Sequence, residues 1–267
     1  RLARFLLHDG RFPCIRGYQQ QGRPFMAKKF FLILDTETTI TDKVADLGLV
    51  VCDKAGNVEY EVGLLVREFF HDRETNPLFY DNSAGDLWGK RNLPKRYQLA
   101  EDMLADGRRM LASVPAINRL LVKIALKYKP VLTAYNLAFD NSKCANTGID
   151  LTIFEPQFCL WKAAAQKWGQ TKAYRQFCLE NHLFGARTKH GNMTYGTKDD
   201  YMAKFLLGAD LPDEPHTALE DARDYELPIL KALVKNTSPK DYMNAPAYNW
   251  KDYQVRNAFK AIYEIYL

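Results

Sequence analysis

The chain has 267 residues, 47% of them hydrophobic and 26% charged, an ordinary globular composition long enough for one core with added pieces. Its formal net charge of +5 suits a polyanionic partner without demanding one, and its five scattered cysteines (Cys14, Cys52, Cys144, Cys159, Cys178) form no Cys-x-x-Cys pair, which argues against a zinc ribbon or redox dithiol. No apolar run approaches the ~20 residues that span a bilayer, and the first residues lack the apolar core of a secretory signal, so a soluble cytoplasmic protein with reduced thiols and no membrane partner is expected.

Residues 1–27 show no clear period and scatter arginines among glycines, prolines and a glutamine run, so they are expected to lie outside the core. Met26-Ala27-Lys28-Lys29 then leads directly into a strand. Phe30 to Leu34, Leu47 to Cys52 and Val58 to Val66 are short apolar runs of the buried-strand kind. Asp53 to Asn57 separates the last two as a hairpin loop. Residues 67–112 carry many Asn, Pro and Gly breaks and are expected to form an insertion of loops and short helices, with a helical stretch from about Gln98. Ile117, Leu120, Leu121, Ile124 and Tyr128 share one helical face, with Ser113 and Pro115 at its start and Pro130 at its end. Val131 to Tyr135 is a fourth strand. From Ala138 to about Phe205 the pattern is mainly helical, and a last helix runs from near Thr217 to Val234. The order is α/β with a mixed sheet. Residues 28–235 thus form the domain, and residues 236–267 an aromatic-rich tail with Tyr242, Tyr248, Trp250, Tyr253, Phe259 and Tyr263.

Four acidic positions stand out by their placement. Asp35 and Glu37 end the first strand, and residues two apart on a strand point the same way. Two like charges side by side are unfavourable unless a cation sits between them, and oxygen ligands suit Mg²⁺ or Mn²⁺ rather than zinc. A lone Asp-x-Glu is weak, since the same triplet serves as a solvated turn. Asp140 falls on the first turn of the helix after the fourth strand, a place that the helix dipole alone favours for a carboxylate. His216 follows a loop held by Pro212 and Pro215, and Asp221 projects from the helix beyond it.

Taken in order, these pieces resemble the DnaQ-like exonucleases of the DEDDh group. The family's Asp-x-Glu-Thr corresponds to Asp35-Thr36-Glu37-Thr38, its Asn-x-x-Phe-Asp to Asn136-Leu137-Ala138-Phe139-Asp140, and its His and Asp separated by four residues to His216 and Asp221. The resemblance covers roughly residues 28–232; each motif is modest and the ordered set is specific. The chain departs from the family in its long segment 67–112, in Asp46 where Glu is expected, and in Tyr135 before the second motif. Thr217 stands where the tyrosine variant of the family carries its Tyr, so the histidine variant fits.

The resemblance implies an RNase H-like fold, a mixed five-stranded sheet flanked by helices. It implies 3′→5′ exonuclease activity on single-stranded DNA or DNA ends, with Asp35, Glu37, Asp140 and Asp221 holding two divalent cations, Mg²⁺ or Mn²⁺, and His216 as general base. Thr36, Thr38 and Asn136 would touch the terminal nucleotide. Lys90 and Arg91, in the interleaved basic and aromatic segment Trp88 to Tyr97, suit a single strand. A similar case exists for Trp161 and Trp168, where helical spacing favours core packing. Alternatives are an RNA-trimming or oligonucleotide exoribonuclease of the same fold, and a non-catalytic module that binds nucleic acid or a polymerase. A polymerase or a second copy of the chain is the candidate protein partner.

Overall fold

The computed structural model describes residues 28–70, 86–185 and 191–255, and of residues 86–95 the backbone alone. Strand β1 (Phe30–Thr38) pairs antiparallel with β2 (Val44–Asp53), which pairs antiparallel with β3 (Val58–Val66). Every residue of β2 is buried because both faces of the sheet are covered, so Leu47 to Cys52 read as one apolar run, with Asp46 and Asp53 at its two ends. The β2–β3 turn is closed by Asp53, whose carboxylate accepts from the backbone N–H of Ala55 and Asn57.

After β3 come α1 (Arg67–Phe70), α2 (Asp86–Ala105) and β4 (Met110–Ala112). Helix α3 (Val114–Tyr128) leads to β5 (Val131–Ala134), α4 (Leu137–Thr147), β6 (Gln157–Cys159) and α5 (Leu160–Ala164). A π turn at Ala165–Gly169 joins α5 to α6 (Lys172–Glu180), and α7 is Asp199–Leu207. The last long helix is composite. It runs from α8 (Ala218–Glu220) through a π turn at Asp221–Glu226 into α9 (Leu227–Asn236), before α10 (Pro239–Met243) and a 3₁₀ turn at Trp250–Tyr253.

The sheet order is β4-β3-β2-β1-β5-β6, with β4, β5 and β6 each parallel to their inner neighbour. The α/β class and mixed sheet agree with the sequence reading, but the sheet has six strands rather than five. The additional edge strand, β4, comes from the insertion, and three residues are too few to show a period of two. For the same reason β6 was hidden in a stretch that reads as helical. Helix α2 also starts at Asp86, well before Gln98.

Alternation along β1 divides the core. Phe31 and Ile33 pack under α5, α6, α7 and α9, whereas Leu32 and Leu34 pack under α3 and α4. Helix α3 buries Ile117, Leu121 and Ile124 on the second face, with Leu120 and Tyr128 half-buried beside them. In the tail, Tyr242 is buried against Phe158, with ring centroids 5.0 Å apart. Cys52, Cys144, Cys159 and Cys178 are unpaired, while Cys14, the extension 1–27 and the tail beyond Val255 lie outside the described residues. Among those described, no helix is long and apolar enough to cross a membrane.

One buried network fastens the insertion to the rest. Arg109, just before β4, is 2% exposed and donates through Nε to Asp46 Oδ1 at 2.8 Å and through Nη2 to Glu220 Oε2 at 2.5 Å. The other Asp46 oxygen accepts the backbone N–H of Ala218 at 3.1 Å, capping the first turn of α8. Asp46, the departure noted in the sequence, is therefore the hub that holds α8 to β2. Gly48 permits the contact: a methyl there would lie 2.1 Å from the Ala218 carbonyl oxygen.

Candidate active site

Strand β1 outruns β5. The two pair over Phe31 to Ile33 only, while β1 continues beside β2 to Thr38. This leaves a crevice at the carboxyl end of the sheet, where ligands bind in open α/β folds. The face that carries Phe31 and Ile33 carries Asp35 and Glu37 next, so an apolar row becomes a carboxylate pair as it reaches the crevice.

The other elements bring their acids to the same place. Asn136 takes a left-handed conformation (φ 76°) and turns the chain from β5 into α4, whose first turn carries the buried Asp140. Thr36 Oγ1 donates to Asp140 Oδ1 at 2.8 Å and fixes that carboxylate. From the opposite side, Asp221 opens the π turn, fully buried; neither of its oxygens accepts from an N–H or hydroxyl group, and the Glu214 carboxyl lies within hydrogen-bond reach of it. The ligand atoms of Glu37, His216 and Asp221 lie within 4.8 Å of one another. His216 sits at the end of the loop before α8 with φ 56°, a strained backbone for a non-glycine residue of the kind that recurs at functional sites.

The structure thus brings Asp35, Glu37, Asp140, Asp221 and His216 to one crevice. It also adds residues that sequence reasoning missed. Glu226 is 1% exposed, accepts the Tyr135 backbone N–H at 3.2 Å through Oε1, and leaves Oε2 without a partner. Glu226 lies five residues after Asp221, and the widened π turn places both beside Asp35. Asp199, at the start of α7, and Glu214, two residues before His216, complete the acidic wall. Among the described residues, Arg96 of α2 brings a cation to it, 3.2 Å from Glu37 Oε2, and its guanidinium also donates to the His216 carbonyl.

Burial and mutual repulsion push these acids toward their neutral forms. Asp35 is held well above the usual carboxylate range, first by burial and then by Glu226, Asp140, Asp221 and Glu37. Burial raises Glu37 to about 7 against the pull of Arg96, and Asp140 to about 7 against its bond from Thr36. Asp221 is pushed up to about 9 by burial and by the charges of Glu37 and Asp199. Glu226 and Glu214 are raised as well, again mainly by burial. So many buried carboxylates facing one cation either keep their protons or accept further cations. The orphaned oxygens of Asp221 and the all-carboxylate donor set fit hard divalent ions.

The remaining sequence candidates fall differently. Thr36 and Thr38 are buried, and Thr36 is spent on Asp140, so contact with a ligand here falls to the backbone. Asn136 is exposed and makes no side-chain cap bond. Lys90 and Arg91 lie on α2, but their side chains are outside the described residues. Tyr97, from the same basic and aromatic segment, is buried against Phe70 and is unavailable for stacking. Trp168 packs half-buried on the core, whereas Trp161 lines an open groove. No protein-family model, curated protein or solved structure matches the chain.

Proposed function

We propose that the chain is a metal-dependent 3′→5′ exonuclease that hydrolyses phosphodiester bonds at the 3′ end of single-stranded DNA and releases nucleoside 5′-monophosphates. The observation that carries this reading is the meeting of Glu37, Asp221 and His216 within 4.8 Å, with Asp35 and Asp140 close enough for their charges to act on one another and the Asp221 oxygens buried without an N–H or hydroxyl donor. Three antiparallel strands followed by two parallel ones on the far side of β1 also support an RNase H-like core.

Asp35, Glu37, Asp140 and Asp221 would hold two Mg²⁺ or Mn²⁺ ions. Bound there, such ions acidify a water and neutralise charge on a phosphodiester. The chain's own residues do the rest. Thr36 keeps Asp140 in one orientation. Imidazole titrates near neutrality, so His216, on its exposed loop beside Glu37 and Asp221, takes the proton of the attacking water. Arg96 ties α2 to Glu37 and to the His216 backbone, fixing the loop that carries the base. This chemistry acts on the phosphate and does not by itself separate DNA from RNA.

The test is a time course with a 5′-labelled single strand, offered as DNA and as RNA, in Mg²⁺, Mn²⁺ or EDTA. A ladder shortening from the 3′ end is expected, abolished by EDTA and by Asp35→Ala, with DNA the faster substrate. Faster RNA shortening would favour the exoribonuclease. Tight binding with no shortening in either metal would leave the non-catalytic module in its place.

A further inference from the structure

A groove of about 410 Å³ opens beside the carboxylate crevice, between the end of β5, the start of α5, the strand-like segment before α7 and the 3₁₀ turn at Trp250–Tyr253. Two residues belong to both sites. Tyr135 lines the groove while its backbone N–H donates to Glu226, and Asp199 lines it while its charge presses on Asp221.

The groove is walled by aromatic rings held in place. The Trp161 indole N–H donates to Thr197 Oγ1 at 3.0 Å. Its ring lies against Tyr248 with centroids 4.7 Å apart, and Tyr248 stacks on the buried Tyr253 at 4.5 Å and 19°. Trp250 lines the same opening and has no ring partner among the described residues. Covering the core accounts for Tyr242 and Tyr253, which are buried. It does not account for Trp161, Tyr248 and Trp250, which all remain half-exposed around one opening. Asn136, with an amide not used as a cap, and the exposed Lys198 stand at the same groove.

We infer, on the basis of the nuclease activity proposed above, that this groove is a base-binding subsite that takes one unpaired nucleobase of the strand lying at the carboxylates. The base stacks on Trp161 and Trp250, which every base can do through its π face, and the Asn136 amide meets its edge. Lys198 pairs with the adjoining phosphate. A base within a duplex is already stacked and paired and cannot enter without being extruded, so the groove selects single strands. The C-terminal segment thereby belongs to the substrate site, since it supplies Tyr248 and Trp250.

The test compares a hexathymidylate with the same strand built of abasic sugars, each blocked from cleavage by a methylphosphonate at its 3′-terminal linkage. Binding is followed in Mg²⁺ by the anisotropy of a 5′-fluorescein on each strand, with tryptophan fluorescence recorded alongside. The native protein should bind the base-bearing strand about tenfold more tightly, with quenching, and the abasic strand without it. Trp161→Leu with Trp250→Leu should erase the difference and leave abasic binding unchanged. Trp250→Leu alone, on a surface turn, should reduce the difference without disturbing the core, and Trp161→Phe should keep most of it. Equal or undetectable binding of the two strands by the native protein overturns the inference, as does a difference that survives the double substitution. A base-dependent difference, with no shortening of the unblocked 5′-labelled strand in Mg²⁺ or Mn²⁺, supports the subsite while removing the nuclease reading.

Discussion

Glu37 and Asp46 face each other across the β1–β2 ladder, yet they belong to two clusters of buried charge built on opposite plans. Around Asp46 every acid is bonded to a cation. Arg109 reaches both Asp46 and Glu220, and despite burial its bonds hold Glu220 below the usual carboxylate range. Around Glu37 one cation, Arg96, meets Glu37 alone, while Asp35, Asp140, Asp221 and Glu226 share the crevice and burial drives all of them upward. A satisfied network fixes geometry, here the seat of α8 on β2. An unsatisfied one is costly on its own and is relieved by a ligand of opposite charge. The two are coupled through the chain, because the helix that Asp46 caps leads directly into Asp221.

That contrast can be broken by substitution. Arg109→Ala should cost about 3–5 kcal/mol by chemical denaturation, because it strands the buried Asp46 and the half-buried Glu220. A loss below about 1 kcal/mol would place the network with ordinary surface pairs. Next, His216→Ala should lower the rate of strand shortening about a hundredfold with little change in melting temperature. His216→Gln should not restore the rate, and the native pH–rate profile should lose its acidic limb in both variants. An unchanged rate would remove the residue from the chemistry.

A third effect concerns pH. Glu37, Asp140 and Asp221 have folded-state pKa values of about 7, about 7 and about 9, above their ordinary values of 4.5, 3.8 and 3.8. Raised carboxyl pKa values give stability that is complete below about pH 4 and is lost as pH rises through about 7 to about 9. In EDTA the melting temperature should therefore fall steadily between pH 5 and pH 9. Asp221→Asn should flatten that fall, and Mg²⁺ should raise the melting temperature more at pH 8 than at pH 5. A melting temperature in EDTA that climbs over this range equally in both proteins would contradict the plan of the carboxylate crevice.

The reach of the sequence follows from the same physics. Asp35 and Glu37 were legible because a period of two carries an apolar strand face into them. Asp140 and Asp221 were legible only as members of the ordered set of motifs that the resemblance supplies, since alone the one reads as a helix-start carboxylate and the other as part of an acidic helix face. Glu226 was not, since Glu220, Asp221, Asp224 and Glu226 read alike as an acidic helix, and only the π turn sorts the inward pair from the exposed Asp224. Arg96 and Arg109 were hidden in an insertion whose contacts are long-range: Arg109 meets a carboxylate 63 positions before it and another 111 positions after it. Strands β4 and β6 are held by parallel neighbours rather than by any pattern of their own.

The most direct test of the central claim is calorimetric titration of Mn²⁺ into the native protein and into Asp221→Asn at pH 8. The account predicts two ions per native chain, bound with release of protons from the crevice carboxylates, and a loss of at least about tenfold in affinity at one or both sites in the variant. Native protein that takes up no Mn²⁺ at millimolar concentration, or a variant that binds as the native protein does, would contradict it.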